Sequence, residues 1–169
     1  MPATAIVYTS TTGNTQYAAD LLHKEIGPLQ ADLIELPAVD ITTLEMYRNL
    51  VCCVSTWGKG EMQDDWEAIA PRFSRLGLRD RKAAILGMGD QKNYPDAFAD
   101  GVGHLARLLR SMGVVLIGKT STDGYIFTRS RALEGNNFLA LIIDEDNQHE
   151  QTMPRIRDWA RQLRREFGM

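Results

Sequence analysis

Cysteine and histidine are scarce in this sequence, which holds two cysteines and three histidines among 169 residues. Cys52 and Cys53 are adjacent inside an apolar segment. Their spacing fits neither a metal site nor a CxxC redox pair, and we expect two small buried strand residues. His23, His104 and His149 are scattered along the chain and are expected to be solvated or structural. The sequence therefore contains no candidate metal site and no Ser/His/Asp constellation for nucleophilic catalysis.

The sequence also lacks long apolar runs and an excess of basic residues. No apolar segment is long enough to span a bilayer, and the N-terminus has no basic flank followed by an apolar stretch. We therefore expect a cytoplasmic protein with no membrane partner. The 22 acidic and 19 basic residues give a net charge of −3, which argues against a nucleic-acid binder.

Apolar segments of strand and helix type alternate along the whole chain. Strands are predicted at 5–8, 31–36, 50–54 and 82–87, and a fifth at 114–117 that resumes at 138–143 after a long polar interruption. Helical spacing follows the first, third, fourth and fifth strands. This alternation predicts an α/β fold, a parallel sheet with helices on both faces. Neither repeats nor linkers divide the chain, so we expect one domain over residues 1–169.

A polar loop joins the first strand to the first helix. It contains Ser10, Thr11, Thr12, Gly13, Asn14 and Thr15. Hydroxyl groups, a glycine and the first amides of a helix are the components of a phosphate site. An ordinary helix N-cap accounts for one or two of the hydroxyls. The loop by itself leaves both interpretations open.

Polar and aromatic residues also follow the third and fourth predicted strands. Thr56, Trp57 and Gly58 follow the third strand; Gly89, Asp90, Gln91 and Tyr94 follow the fourth. Ligands of open α/β sheets bind beyond the carboxyl ends of the strands, so these loops are expected to converge with the first. Trp57 packed on a neighbouring helix and Tyr94 as a turn residue are the alternatives. A phosphate cradle and two aromatic rings together predict a mononucleotide site.

These segments resemble the motifs of long-chain flavodoxins. The resemblance rests on residues 10–15, 55–61, 89–91 with Tyr94, 121–125 and 144–148, and it runs in register to the end of the chain. It implies a flavodoxin-like doubly wound five-stranded parallel sheet in the order 2-1-3-4-5. The polar interruption, from about residue 118 to 137, corresponds to the insertion of long-chain members. The resemblance further implies non-covalent binding of FMN and one-electron transfer between proteins, rather than enzymatic catalysis.

The resemblance assigns roles to individual residues. Ser10, Thr11, Thr12, Gly13, Asn14 and Thr15 would hold the phosphate, and Thr56 would lie near the ribityl chain. Trp57 and Tyr94 would flank the isoalloxazine, Asp90 would meet its pyrimidine edge, and the carbonyl of Gly58 would accept a hydrogen bond from the reduced ring. The other expected cofactor-binding residues are Ser55, Lys59, Gly60, Gly89 and Gln91.

Charge patterning bears on the redox partners that the resemblance implies. Five acidic residues are expected near the flavin and would lower its potential, namely Glu61, Asp64, Asp65, Asp90 and Asp96. Lys59 and Lys92 would partly offset them. The arginines of the last helix are expected at the far end of the molecule, because crossover helices run antiparallel to the strands. The expected partners are a basic flavodoxin/ferredoxin reductase and electron-accepting enzymes. This protein itself is expected to be a monomer.

Four other function classes are alternatives to an electron carrier. A receiver domain needs an Asp at the end of the third strand, but this sequence has Ser55-Thr56-Trp57 there. A Rossmann dehydrogenase needs GxGxxG after the first strand, but residues 9–15 contain a single glycine. An NAD(P)H-dependent FMN quinone reductase of related fold is the main alternative. It would need space above the flavin that Trp57 and Tyr94 are expected to cover. An FMN-binding sensor is a third possibility that the sequence leaves open.

Overall fold

The computed structural model of this chain describes residues 1–9, 13–36, 40–57, 60–62 and 64–169, and of Trp57 it describes the backbone alone. Strands and helices alternate, as the apolar patterns predict. In chain order the elements are β1 (Thr4–Tyr8), α1 (Gly13–Ile26), β2 (Ala31–Glu35), a 3₁₀ helix (Ile41–Met46), β3 (Asn49–Trp57), β4 (Glu61–Met62), α2 (Asp64–Phe73), β5 (Lys82–Met88), α3 (Asp100–Ser111), β6 (Val115–Leu116), β7 (Thr120–Ser121), β8 (Leu133–Glu134), β9 (Asn137–Phe138), β10 (Leu141–Ile143) and α4 (His149–Phe167).

The main sheet has the predicted order. Strands β2, β1, β3 and β5 lie side by side and parallel, and both β6 and β10 pair with β5. Strand β6 pairs with Lys82 and Ala83 at the start of β5, whereas β10 pairs with residues 86–88 at its end. The two short strands thus share one position in the sheet. Counting them as one interrupted fifth strand gives the order 2-1-3-4-5, and the predicted fold class is confirmed.

Helices cover both faces of this sheet. Helices α1 and α4 pack on one face and contribute buried residues such as Leu22 and Trp159, while α2 and α3 pack on the other with residues such as Trp66 and Leu105. Successive strand residues point to opposite faces, so Cys52 lies in one apolar cluster and Cys53 in the other. Both thiols are fully buried, as expected for central strands that read as continuous apolar runs.

The structure corrects the predicted end of the third strand. Residues 55–60 were expected to form a loop, yet β3 continues through Ser55 and Thr56 to Trp57. Antiparallel pairing with β4 (Thr56 with Met62, Trp57 with Glu61) gives the backbone of this polar segment its hydrogen-bonding partners. Two further boundaries were wrong. Helix α2 ends at Phe73 rather than at residue 76, and Phe138 belongs to β9 rather than to the resumed fifth strand.

The chain between β6 and β10 forms a small antiparallel sheet in the order β7-β9-β8. An aromatic cluster anchors it to the residues before α3, with ring centroids 5.0 to 6.0 Å apart; its members are Phe98, Tyr125, Phe127 and Phe138. The guanidinium of Arg155 on α4 lies 4.0 Å from the centre of the Tyr125 ring. The insertion is therefore packed against both α3 and α4.

Helix α4 ends at the amino edge of the sheet. Lys82 Nζ, at the start of β5, donates to the carbonyl of Glu166 at 2.7 Å. Arg164 donates to the carbonyl of Glu25 at the end of α1, at 2.9 Å. The expectation that the arginine-rich end of this helix points away from the carboxyl ends of the strands is confirmed. No helix within the part of the chain that the structure describes is long and apolar enough to cross a membrane.

Candidate functional site

An open groove lies at the carboxyl ends of β1, β3, β5 and β10. Six predicted site residues line it, namely Asn14, Ser55, Thr56, Gly89, Asp90 and Tyr94. Five residues that sequence reasoning did not select also line it, namely Met88, Ala97, Ala99, Glu145 and Asp146. The predicted convergence of three loops therefore occurs, and a fourth loop, after β10, joins them.

One end of the groove is the N-terminus of α1. The helix begins at Gly13, so Gly13 and Asn14 belong to its first turn, and both are exposed. A Cβ added at Gly13 would meet no atom of the described residues within 4 Å, so they leave open space beside it. Amides in the first turn of an α-helix have no acceptor inside the helix, and the helix dipole favours an anion there. This end of the groove suits a phosphate.

Thr15 is buried at the start of α1, against the end of β3. Its Oγ1 lies 2.5 Å from Ser55 Oγ, and both residues are buried. This contact joins the first turn of α1 to the end of β3. The contact holds in place the helix end that would receive the phosphate, and the predicted contact of Thr15 with the phosphate remains a prediction.

Thr56 is held by the start of α3. Its Oγ1 accepts a hydrogen bond from the amide of Gly101 at 2.9 Å. Gly101 must be small, because a Cβ there would lie 2.7 Å from the carbonyl oxygen of Ser55. A hydroxyl that accepts one hydrogen bond still has its own proton to donate. Thr56 therefore presents an oriented donor to the middle of the groove.

The loop after β5 supplies an aromatic wall and a rigid turn. Tyr94 is 47% exposed and lines the groove, and its amide donates to the carbonyl of Asp90 at 2.9 Å. Asp90 accepts hydrogen bonds from Asn93 N and Nδ2 and from Asn147 Nδ2, at 3.0, 2.8 and 2.9 Å. Burial raises the pKa of Asp90, but these hydrogen bonds outweigh it and leave the pKa below its usual value. The carboxylate thus fixes the turn that carries Tyr94.

Gly89 and Gln91 lie beside this wall, Gly89 partly exposed and Gln91 buried. A Cβ at Gly89 would lie 2.7 Å from Phe98 Cε1, so a side chain there would displace an aromatic ring of the core. Gln91 is buried with its side chain turned away from the groove. Its Oε1 accepts from the amide of Ile126 in the insertion at 2.7 Å. Its predicted contact with a ligand remains a prediction.

Asp144 connects two loops of the site; it belongs to the segment 144–148 of the family resemblance, which implied no role for it. It is fully buried at the end of β10. Its Oδ2 accepts from Gln91 N and Nε2 at 3.0 and 2.7 Å, and its Oδ1 accepts from Asn147 N and Nδ2 at 3.2 and 3.0 Å. Asn147 Nδ2 also reaches Asp90. One carboxylate therefore joins the loops after β5 and β10. Its sequence signals were its position directly after an apolar strand and its place in the segment 144–148.

The remaining predicted residues divide into two groups. Gly60 is buried at a φ of +106°, directly before β4. Ser10, Thr11, Thr12, Gly58, Lys59 and the side chain of Trp57 lie outside the described residues. Their predicted contacts with phosphate and flavin remain predictions.

Part of the groove lining is acidic. Asp90, Glu145 and Asp146 line it, and Glu145 accepts a hydrogen bond from Thr152 Oγ1 at 2.5 Å. Amide donors at one end, hydroxyls in the middle and a tyrosine with apolar residues beyond suit a ligand with a phosphate, a polar chain and a flat ring. The carboxylates disfavour additional negative charge on that ring.

Comparisons with known proteins agree with this geometry. The family model described as Flavodoxin matches residues 6–159. A flavodoxin of Buchnera aphidicola subsp. Baizongia pistaciae is 38% identical over 99% of this chain and 98% of its own length. A flavodoxin of Synechococcus elongatus is 36% identical, and the alignment covers 100% of both chains.

The fold has close matches among solved structures. A crystal structure of Fusobacterium nucleatum flavodoxin bound to flavin mononucleotide superposes with a TM-score of 0.91 at 24% sequence identity. The superposition covers 98% of this chain and 99% of the other. At that identity the likeness establishes the shared fold.

Proposed function

The chain belongs to the flavodoxin family, and we propose that it binds FMN non-covalently and carries single electrons at low potential between redox proteins. The observation that carries the proposal is the groove itself. It has the N-terminus of α1 at one end, an exposed tyrosine wall at the other and the hydroxyl of Thr56 between them. Phosphate, ribityl chain and isoalloxazine require these groups in this order.

The phosphate would be bound without a cationic side chain from the loop. The amides of Gly13 and Asn14, together with residues 10–12, would supply the donors, because helix N-termini and hydroxyls neutralise an anion by oriented dipoles. The contact between Thr15 and Ser55 holds that helix end against β3. Its role is to keep the donors oriented before the ligand arrives, which reduces the entropy lost on binding.

The ring would lie against Tyr94, with Trp57 proposed for its other face. FMN, when bound, accepts and releases electrons one at a time. The residues of this chain set how readily it does so. Tyr94 excludes water from one face, while the acidic groups Asp90, Glu145 and Asp146 disfavour negative charge on the reduced ring. Both effects lower the potential of the final electron.

The partners proposed are a flavodoxin/ferredoxin reductase and electron-accepting enzymes, each with a basic surface around its redox centre. The acidic lining of the groove supports this choice, since opposite charges steer two proteins into contact. The arginines at the end of α4 lie at the opposite edge of the sheet, where they do not oppose that approach. We propose a monomer, whose ring edge stays open to successive partners.

Reconstitution followed by redox titration tests the proposal. The apoprotein is mixed with FMN or riboflavin while flavin fluorescence is monitored, and the complex is then titrated potentiometrically. We expect tighter binding of FMN than of riboflavin, two separable one-electron steps, and electron delivery from a flavoprotein reductase to cytochrome c. Steady consumption of NAD(P)H with quinones, without an added reductase, would instead identify a quinone reductase.

A further inference from the structure

His104 makes a contact beside the groove that the functions above do not use. It lies on the second turn of α3 and is half-buried. Its Nε2 is 2.9 Å from the carbonyl oxygen of Gly60. A carbonyl oxygen can only accept, so Nε2 carries the proton in this contact. The imidazole therefore donates to the backbone directly before β4.

Gly60 is also confined from a second side. Its φ of +106° favours glycine, and a Cβ there would lie 2.6 Å from Asp100 Oδ2. Asp100 is itself buried and accepts from the amide of Arg131 in the insertion at 2.7 Å. Asp100 and His104 are four residues apart and lie on one face of α3. The beginning of this helix thus holds Gly60 by close packing and by one hydrogen bond.

Gly60 connects this helix face to the candidate site. The next residue, Glu61, pairs with Trp57, and Met62 pairs with Thr56. Thr56 is in turn bonded to Gly101 of the same helix. The start of α3 therefore contacts both sides of the β3–β4 hairpin, Thr56 at the end of β3 and Gly60 directly before β4. Two residues of this hairpin, Thr56 and Trp57, are proposed to contact the flavin.

We propose that His104 is a positioning residue of the flavin site, which fixes the β3–β4 hairpin beside the ring through its Nε2–H bond to Gly60. This inference rests on the proposed function, since it concerns binding of the same cofactor. The bond comes from α3, which packs on the face of the sheet opposite α1, the helix that would bind the phosphate. Its loss should weaken binding of FMN and of riboflavin by the same factor.

Two substitutions separate the hydrogen bond from the mere presence of a polar side chain. In His104→Gln the amide nitrogen occupies the ε position and can still donate to Gly60. In His104→Asn the amide is one bond shorter and cannot reach it. His23→Asn is the matched control, because His23 Nε2 lies 2.9 Å from the carbonyl of Ala31 at the start of β2, at the opposite edge of the sheet.

The first measurement is flavin binding. We expect H104N to raise the dissociation constants of both FMN and riboflavin about fivefold, the effect of losing one ordinary hydrogen bond. H104Q should stay within about twofold of the wild type, and H23N should not change binding. Equal affinity in H104N and the wild type, or binding by H104Q no better than by H104N, overturns the inference.

The second measurement needs no cofactor. Amide hydrogen exchange in the apoprotein, followed by NMR, reports the opening of the hairpin at Glu61 and Met62. H104N should accelerate exchange at these two amides about fivefold, whereas H23N should leave them unchanged. Unchanged exchange in H104N overturns the inference. A wild-type protein that fails to bind FMN overturns the proposed function, so the two failures are distinguishable.

Discussion

Gln91 gives both its backbone amide and its side-chain Nε2 to a single carboxylate oxygen of Asp144, at 3.0 and 2.7 Å. A buried carboxylate is stable only where donors replace its lost hydration. Asp144 meets this requirement with donors from two different loops, Gln91 after β5 and Asn147 after β10. The charge that holds the loops together lies beneath the groove, out of contact with solvent.

Replacing Asp144 by Asn should therefore destabilise the protein and weaken flavin binding together. The amide group of Asn keeps one accepting oxygen and replaces the other by an NH2 group, whose hydrogens would oppose either the donors of Gln91 or those of Asn147. We expect a loss of about 1.5–3 kcal/mol in the free energy of unfolding, typical of hydrogen bonds to a charged group. Urea unfolding of the apoprotein measures it. The control is Asp158→Asn on the exposed side of α4, which should change stability little. A D144N protein as stable as D158N would contradict the role given to Asp144.

Tyr94 should contribute affinity through its ring and not through its hydroxyl. Tyr94→Ala removes the aromatic wall, and we expect flavin to bind about threefold to tenfold more weakly, matching the ~0.5–1.5 kcal/mol typical of aromatic stacking. Tyr94→Phe should bind FMN almost as well as the wild type. Fluorescence titration with FMN measures both, with Met46→Ala, an exposed apolar residue on the 3₁₀ helix, as control. Equal losses in the Ala and Phe variants would show that the hydroxyl dominates.

Asp90 should make stability depend on pH in the acid range. Its pKa in the folded protein is lowered from the ordinary value of 3.8. Its contribution is therefore present above pH 3.8 and is lost as the pH falls through the lower folded-state value. The stability difference between the wild type and Asp90→Asn should be largest near neutral pH and shrink below pH 3.8. Urea unfolding across this range measures it. A difference that stays constant through acid pH would argue against an ionised Asp90 fixing the turn.

The two cysteines should be unreactive in the native protein. Burial raises the pKa of Cys52 to about 12 and also raises the pKa of Cys53. Since the thiolate is the reactive form and both groups are inaccessible, a thiol reagent such as DTNB should label neither residue in the native state. Both should react once guanidinium unfolds the chain. Rapid labelling of the native protein would show that the central sheet opens far more often than its burial indicates.

The architecture was predictable because its signals are local. Apolar strands covered on both faces read as continuous runs, and amphipathic helices between them have their own period, so the sheet and the position of its interruption follow from the sequence. The end of β3 did not follow. Ser55 and Thr56 are polar, and their strand conformation depends on pairing with β4, a strand of only two residues.

The location of the candidate site could be predicted from the sequence, but most of its side-chain contacts could not. Strand ends located the groove, and six predicted residues line it. The directions of the side chains depend on partners distant in the sequence. Thr15 turns toward Ser55, forty positions away, and Gln91 turns toward Asp144, fifty-three positions away. The role of His104 depends likewise on Gly60, which no local pattern places beside it.

The bond from Asn147 to Asp90 has a consequence for the order of events during synthesis of the chain. The loop after β5 is translated before the residues that fix it, since Asp144 follows Gln91 by 53 positions and Asn147 follows Asp90 by 57. A growing chain that has passed Tyr94 but not Asn147 has its aromatic wall without the support beneath it. A ribosome stalled after Tyr94 but before residue 147 should therefore hold a nascent chain that retains no flavin.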